Sequence, residues 1–455
     1  MNLDEAWASS CEKRVHMPSG IHIEINNQEG LKNMSQNLKT VEAIMIGAGQ
    51  RGAQVYGAFA ERNPKDIKFV AVAEPNAERR EAFCRDHGIA AENAVEDWKE
   101  LLARPKMADC VFVCTQDNEH IEPAMIAIDA GYHVVMEKPM SRNAAELRAL
   151  QAKAEEKGRL VTVCHVLRYT PFFSKVRELL RSGVIGKLQS IQQIENVAYW
   201  HQAHSFVRGN WRREDETSPM ILAKSCHDMD IMLWMADSHC TKVSSFGSLG
   251  HFNAENAPEG APEYCLDGCP HADDCPYNAE HIYLQSKGVH VPVIRKVVSL
   301  EDTDESVREA LRRGPYGRCV YHCDNNVVDY QVVNLEFENG VTASFTMTAF
   351  TWEGGRTIKV MGTHGQIVGD VESDFIEVTR FVNGEKTIIH MNADPEGHSG
   401  GDKGFMRDVV RQMQSDGAYT GRTQVSFSVE SHLIALAAEE SRVSGKTITL
   451  EDFEA

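Results

Sequence analysis

No run of apolar residues in this chain approaches the roughly 18 needed to cross a bilayer, which excludes a transmembrane helix. Positive charge is scarce: 47 Lys and Arg stand against 66 Asp and Glu, a formal net charge of −19. A surface that negative repels phosphate backbones and anionic lipid, so neither nucleic acid nor a membrane is an expected partner. The N-terminus lacks the basic-then-apolar pattern of a secretion signal, and the expected location is the cytoplasm. Disulfides rarely persist there, so the cysteines are expected to be reduced. Cys110, Cys114 and Cys164 sit within apolar runs, where a thiol packs as a small hydrophobe. No internal repeat is evident.

What is present is an ordinary globular composition, 42% hydrophobic and 25% charged, over 455 residues. That length accommodates two or three domains. Residues 1–39 are polar and aperiodic and are expected to form an N-terminal extension, partly disordered. From Val41 the pattern changes. Short apolar runs (Val41 to Ile46, Phe69 to Ala73, Cys110 to Cys114, His133 to Met136) alternate with helical stretches, the last over Ala144 to Lys157. This predicts parallel βαβ units buried on both faces, a Rossmann domain over residues 40–160. Residues 161–425 read differently. Leu188 to Ala198, Val332 to Phe337, Val341 to Met347 and Ile358 to Val360 alternate as half-exposed strands, and Asn339-Gly340 and Asn383-Gly384 are hairpin turns. An α+β domain with a large, open, mainly antiparallel sheet is expected there, followed by a helix and tail over 426–455. A polar stretch with Pro, Gly and Cys, about 250–323, interrupts the strands as an insertion.

Gly47-x-Gly49-x-x-Gly52 follows the first strand, opens a helix, and is followed by Glu74 at the end of the next apolar run. In that context the glycines let backbone approach a pyrophosphate at a helix N-terminus, and the acid binds ribose hydroxyls. Glu74 favours NAD over NADP because a carboxylate repels a 2′-phosphate; Arg79 and Arg80, a turn further on, soften that preference.

Glu137-Lys138-Pro139 directly follows the strand His133 to Met136, and Thr115-Gln116-Asp117-Asn118-Glu119-His120 follows the strand before it. With the glycine fingerprint, these segments resemble the glucose–fructose oxidoreductase, inositol dehydrogenase and MocA family. The resemblance runs from about residue 41 to the C-terminus, the insertion excepted. It implies a dinucleotide domain and a sheet domain that forms one pocket wall and often an oligomer interface, so a homo-oligomer (dimer or tetramer) is expected. The implied cofactor-binding residues are Gly47, Gly49, Gln50, Arg51, Gly52, Glu74, Thr115, Gln116, His120, Glu137 and Lys138. The family's lysine between nicotinamide and substrate corresponds to Lys138, and an ammonium there stabilises negative charge on the reacting oxygen. The family's histidine resembles His227, in Lys224-Ser225-Cys226-His227-Asp228-Met229-Asp230, and its ordinary pKa suits a general base. The family commonly has an aspartate four residues earlier. Here Ala223 stands in that place, so Asp230 is the expected orienting partner.

Two segments are rich in hydrogen-bonding and aromatic groups, the mixture that carbohydrates require. They supply the expected substrate contacts His165, Arg168 and Tyr169, then Trp200, His201, His204, Arg208, Trp211 and Arg212, with Asp230 beside them. Arg208 and Arg212 also suit an anionic substituent. For His201 and His204, sugar contacts are preferred to a metal. Packing and interface remain the alternative for the whole second segment.

Cys265, Cys269 and Cys275 lie in the insertion, with Cys319 as a fourth thiol and Cys323 as its alternative. A structural zinc would staple this polar loop; an iron–sulfur cluster, free thiols or a disulfide are the other readings. The expected activity is an NAD-dependent oxidation or reduction of a small-molecule carbohydrate substrate: a sugar, polyol or glycoside carbinol. An NAD-dependent glycoside hydrolase, working by transient oxidation, elimination, water addition and re-reduction, is the first alternative. A non-catalytic NAD-binding regulator is the second.

Overall fold

Short apolar runs bounded by turn residues become the strands of two sheets. The computed structural model describes residues 39–451 and 453, apart from 289, 393–395 and 416–417, so the expected N-terminal extension lies outside the described residues except for Lys39. The first sheet comprises β1 (Val41–Ile46), β2 (Ile67–Ala73), β3 (Ala94–Val95), β4 (Cys110–Val113), β5 (His133–Met136) and β6 (Val161–Val163). All its pairings are parallel, in the order β3-β2-β1-β4-β5-β6. Every residue of β4 and β6 is buried, which explains their unbroken apolar runs: helices cover both faces. Strand order reverses between β1 and β4. At such a point the loops leaving the strands part and open a crevice.

The helix that follows β1 starts with a π-type segment, Gly52–Gly57, and continues as Ala58–Arg62. The helix Ala144–Lys157 is capped by the Asn143 side chain, which accepts from the N–H groups of Ala145 and Glu146. It ends at left-handed Gly158.

The second sheet has nine strands: β7 (Leu188–Asn196), β8 (Cys240–Ser248), β9 (Tyr330–Phe337), β10 (Thr342–Thr348), β11 (Gly355–Gly362), β12 (Gly365–Asp370), β13 (Phe375–Arg380), β14 (Lys386–Ile389) and β15 (Ile448–Thr449). Their order is β14-β13-β12-β11-β7-β10-β9-β8-β15, and only β7 and β10 run parallel. Alternation assigns the two faces. Along β9, Gln331, Val333, Leu335 and Phe337 are buried, while Tyr330, Val332, Asn334 and Glu336 face outward. The helices Cys226–Ala236 and Val425–Ser444 cover the inner face. Apolar residues of both sheets and these helices share one core.

Between β8 and β9 the insertion carries the helices Val291–Val298 and Asp304–Arg313. It builds a separate apolar cluster around Phe252, Tyr283, Ile294, Val307 and Leu311. That cluster also takes in Ala203 and Val207, from the polar segment between β7 and β8.

Candidate active site

The site begins where β1 ends. Gly47 turns the chain with φ +89°, and a Cβ there would stand 2.4 Å from the Cys114 carbonyl oxygen behind β4. At Gly52 a Cβ would stand 2.1 Å from the Gly47 oxygen, so close packing of helix on strand admits only glycine. Gly49 differs: its nearest neighbour is Arg79, 4.0 Å away, and the backbone can be approached from outside. Glu74, buried at the end of β2, accepts from the N–H groups of Ala48 at 2.8 Å and Asn76 at 3.0 Å. A glycine cradle with an acid at the next strand's end fits a dinucleotide, its pyrophosphate on the loop and its ribose at Glu74. Gln50 and Gln116 are exposed on this crevice. The Thr115 hydroxyl donates to the Glu119 carbonyl (3.0 Å), and His120 spans the loops after β4 and β5, 3.1 Å from the Thr115 oxygen and 2.7 Å from that of Pro139.

Arg51 and Glu137 come together beneath this crevice. Glu137 accepts from Arg51 Nε at 2.6 Å, from the Tyr56 hydroxyl, and from the Cys164 thiol at 2.7 Å. Burial acts to raise its carboxyl, but Arg51 and these hydrogen bonds outweigh burial and hold it down to about 2. The ionised Glu137 also accepts the Lys138 N–H at 3.2 Å, which fixes the backbone that carries the lysine.

Lys138, half-buried at the end of β5, donates through Nζ to the Ala223 carbonyl at 2.9 Å. Ala223 closes the short helix Met220–Ala223, and His227 is the second residue of the helix that follows. The first sheet's loops and the second domain's helix therefore meet at these two residues. His227 is buried, and its Nδ1 has no hydrogen-bond partner among the described residues. Burial, then the positive charge of Lys138 and the neighbouring His165, His398 and Arg356, push its imidazole well below the ordinary range.

The expected partnership of Asp230 with His227 is corrected. Asp230 is occupied on both oxygens by Arg168, through Nε and Nη2, each at 2.7 Å. Arg168 also lies over Trp234 and Phe427, and Tyr169 donates to Asp408 at 2.8 Å. These groups serve an inward network. His165 stands between His227 and His432, at ring distances of 5.8 and 5.4 Å, with no hydrogen bond at either nitrogen among the described residues.

A wall that the sequence reading missed stands on the inner face of the second sheet. Arg356 of β11 meets Asp228 (2.8 Å) and Glu195 (2.8 Å), Lys224 meets Glu195 (3.2 Å), and Gln193 donates to Asp228 (2.5 Å). The signal was strand phase: Gln193 and Glu195 continue the inward phase of Ile191, and Arg356 that of Ile358 and Val360. Burial raises the Glu195 carboxyl against the pull of Arg356 and Lys224.

The segment 199–212 is engaged largely by the insertion. Arg208, fully buried, donates to the carbonyls of Arg318 and Tyr277, both at 2.7 Å. His204 Nδ1 lies 2.9 Å from the Tyr283 hydroxyl, and its ring stacks on Tyr316. Trp200 stacks between His201 and His290, and burial pushes the His201 imidazole well below its usual range. Arg212 pairs with Asp324 (3.1 Å) and Glu216 (3.4 Å). Trp211 alone reaches the first sheet's loops, with Nε1 3.4 Å from Asp117 Oδ1. Arg208 and Arg212 thus have protein partners where an anionic substituent was expected.

The expected metal ligands are likewise corrected. Among the described residues no group of three or more His, Cys, Asp or Glu side chains is disposed to hold a metal ion. The Arg208 guanidinium lies 3.6 Å from the Cys265 sulfur, Cys323 donates to the Cys319 carbonyl at 3.3 Å, and burial raises the Cys319 thiol to about 11. Cys269 and Cys275 are half-buried free thiols on the same loop. The fixed guanidinium cation beside the Cys265 sulfur opposes a second cation there.

With this geometry in view, known proteins extend the picture. Residues 41–165 match the family described as oxidoreductase family, NAD-binding Rossmann fold, and residues 177–450 match its C-terminal alpha/beta domain. A Bacillus subtilis protein named putative oxidoreductase YteT is 25% identical over 69% of this chain and 74% of its own length. Oxidoreductase P35 of Formosa agariphila is 32% identical over 38% of this chain and 53% of its own, and the scyllo-inositol 2-dehydrogenase (NADP(+)) IolW of Bacillus subtilis is 28% identical over 40% and 48%. The chain thus spans about half the length of these last two relatives. Among solved structures, levoglucosan dehydrogenase in complex with NADH and levoglucosan superposes with TM-score 0.66 at 18% identity, covering 90% of this chain and 99% of that one. An oxidoreductase from Agrobacterium radiobacter with NAD+, L-tartaric acid and magnesium gives 0.65 at 15%, covering 90% and 98%. At these identities the likeness is one of fold.

Proposed function

The chain belongs to the glucose–fructose oxidoreductase, inositol dehydrogenase and MocA family of oxidoreductases, and from that premise we propose that it is an NAD-dependent enzyme acting on the carbinol of a sugar, polyol or glycoside. The observation that carries the reading is Lys138, at the end of β5, with its Nζ at the Ala223 carbonyl, His227 four residues beyond Ala223, and the Gly47–Gly52 cradle at the end of β1, on the other side of β4. The sugar and polyol substrates named for levoglucosan dehydrogenase and the inositol dehydrogenase support the substrate class. Glu74, directly after β2, supports NAD over NADP, because a carboxylate at that strand end would repel a 2′-phosphate.

The dinucleotide, when bound, supplies the acceptor for the carbinol hydrogen. Lys138 exchanges its hydrogen bond from the Ala223 carbonyl to the carbinol oxygen and stabilises the negative charge that grows there. Neutral His227 accepts the hydroxyl proton. Glu195, Lys224 and Arg356 offer donors and acceptors to the remaining hydroxyls, and Trp211 offers an aromatic face at the loop after β4. On the outer face of the second sheet Phe246 and Tyr330 are exposed, 68% and 43%, which supports pairing with a second copy of the chain. Sedimentation equilibrium of the wild type gives the mass of that assembly.

The test is a dual-readout assay. Purified protein and NAD meet a panel of sugars, polyols and neutral and anionic aryl glycosides, and cofactor reduction and aglycone release are followed together. The reading predicts reduced cofactor in proportion to oxidised product. Aglycone release without net reduction would instead establish the redox-neutral hydrolase, and cofactor binding without any turnover the regulator.

A further inference from the structure

A second imidazole–carboxylate pair lies beside His227, on the segment that leads into the helix Gly401–Gln414. His398 has its ring centre 6.0 Å from that of His227, and its Nδ1 is 3.1 Å from Asp402 Oδ2. The other Asp402 oxygen accepts from Arg51 at 2.9 Å. Burial acts to raise the Asp402 carboxyl, but His398 and Arg51 outweigh burial and keep it ionised. An ionised carboxylate at Nδ1 leaves Nε2 of His398 with a free lone pair. The backbone is special too: φ is +48° at His398 and +52° at Ser399, left-handed values that residues other than glycine rarely adopt. Such conformations persist where the surroundings hold them, and they gather at functional sites.

His227 needs such a neighbour. Lys138 and Arg356 act on it as positive charges, Ala223 offers no carboxylate, and Asp230 is bound by Arg168. A proton taken there sits among these positive charges, which favour passing it on. His398, by contrast, has a carboxylate behind it and a side chain 42% exposed. We propose that His398, held by Asp402, receives the carbinol proton from His227 and delivers it to solvent. The inference rests on the oxidoreductase reading. The C–H bond breaks with its electron pair going to oxidised NAD, the O–H bond breaks as C=O forms, and the proton passes to His227, then to His398, then to water. The ring centres stand 6.0 Å apart, a separation that a single bridging water would close.

The test uses the full-length chain, NAD and a panel substrate that the wild type oxidises. His398→Ala is expected to lower kcat about 10- to 100-fold. Added imidazole should restore much of the loss, and the solvent isotope effect on kcat should rise, with the affinity for NADH unchanged. His398→Gln, closer to the original in size, should show the same loss and so exclude a folding defect. Without cofactor, diethylpyrocarbonate should modify His398 before His227 or His165, as read by peptide mass spectrometry. A wild-type rate in His398→Ala, a loss that imidazole does not restore, or earlier modification of His227 would each overturn the relay. Absence of wild-type turnover across the whole panel would overturn the oxidoreductase reading, and the relay with it.

Discussion

The loops after β1, β4 and β5 and the segment from Tyr199 to Arg212 are both dense in polar side chains, yet the fold uses them in opposite ways. In the loops, Arg51 pairs with Glu137 and His120 bridges the Thr115 and Pro139 carbonyls, which leaves an open glycine cradle and a half-buried lysine beside a neutral histidine. In the segment, Arg208, His204 and Arg212 spend their hydrogen bonds on the insertion. Polar density alone therefore does not mark a binding wall. What sets the loops apart is backbone open to approach at Gly49, with Lys138 at the end of β5.

The largest effect that sharpens this contrast belongs to the inward network. Asp230→Ala leaves the Arg168 cation buried and uncompensated, and urea unfolding should show a loss of about 3 to 5 kcal/mol. Arg208→Met comes next. It strands the Arg318 and Tyr277 carbonyls at a cost of about 2 to 3 kcal/mol, while turnover per folded molecule stays at the wild-type level. A large fall in turnover without loss of stability would break the contrast and return Arg208 to the substrate.

Three buried histidines make stability depend on pH. Burial lowers His165, His227 and His432, the last to about 3, so the folded chain keeps them neutral in mild acid while the unfolded chain protonates them. The unfolded state then binds more protons, and stability falls as pH drops below the free-histidine value of about 6.5, by about 1.4 kcal/mol per pH unit for each histidine. Unfolding at pH 7.0 and at lower pH measures that slope, and His165→Leu should make it shallower; an unchanged slope contradicts the account. The smallest effect is at Arg212, whose pairs are partly exposed: Arg212→Ala should cost less than about 1 kcal/mol.

Legibility in the sequence followed the range over which each constraint acts. Gly52 is required by a clash within two turns of chain, and Gly47 by the Cys114 carbonyl behind the neighbouring strand; the spacing of the glycines and Glu74 was legible locally, whereas Lys138 was read from the family resemblance of Glu137-Lys138-Pro139. The parallel first sheet and the largely antiparallel second sheet likewise followed from local patterning, while the strand order came from the structure. Arg356 and Glu195 were visible only as charges in the inward phase of a strand, with nothing to say that they pair across β7 and β11. His398 was not visible, because its approach to His227 depends on distant chain segments and on left-handed backbone at residues that do not announce it. The cysteine spacing suggested ligands, but it could not reveal that a buried guanidinium from another element would lie among the thiols.

The most direct test of the central claim, that chemistry resides where the β5 loop meets the helix of His227, is the turnover of Lys138→Met with a substrate chosen from the panel. The account predicts a fall in kcat of about 100- to 1,000-fold, with NADH still bound and the unfolding midpoint unchanged. Turnover at the wild-type level would contradict it.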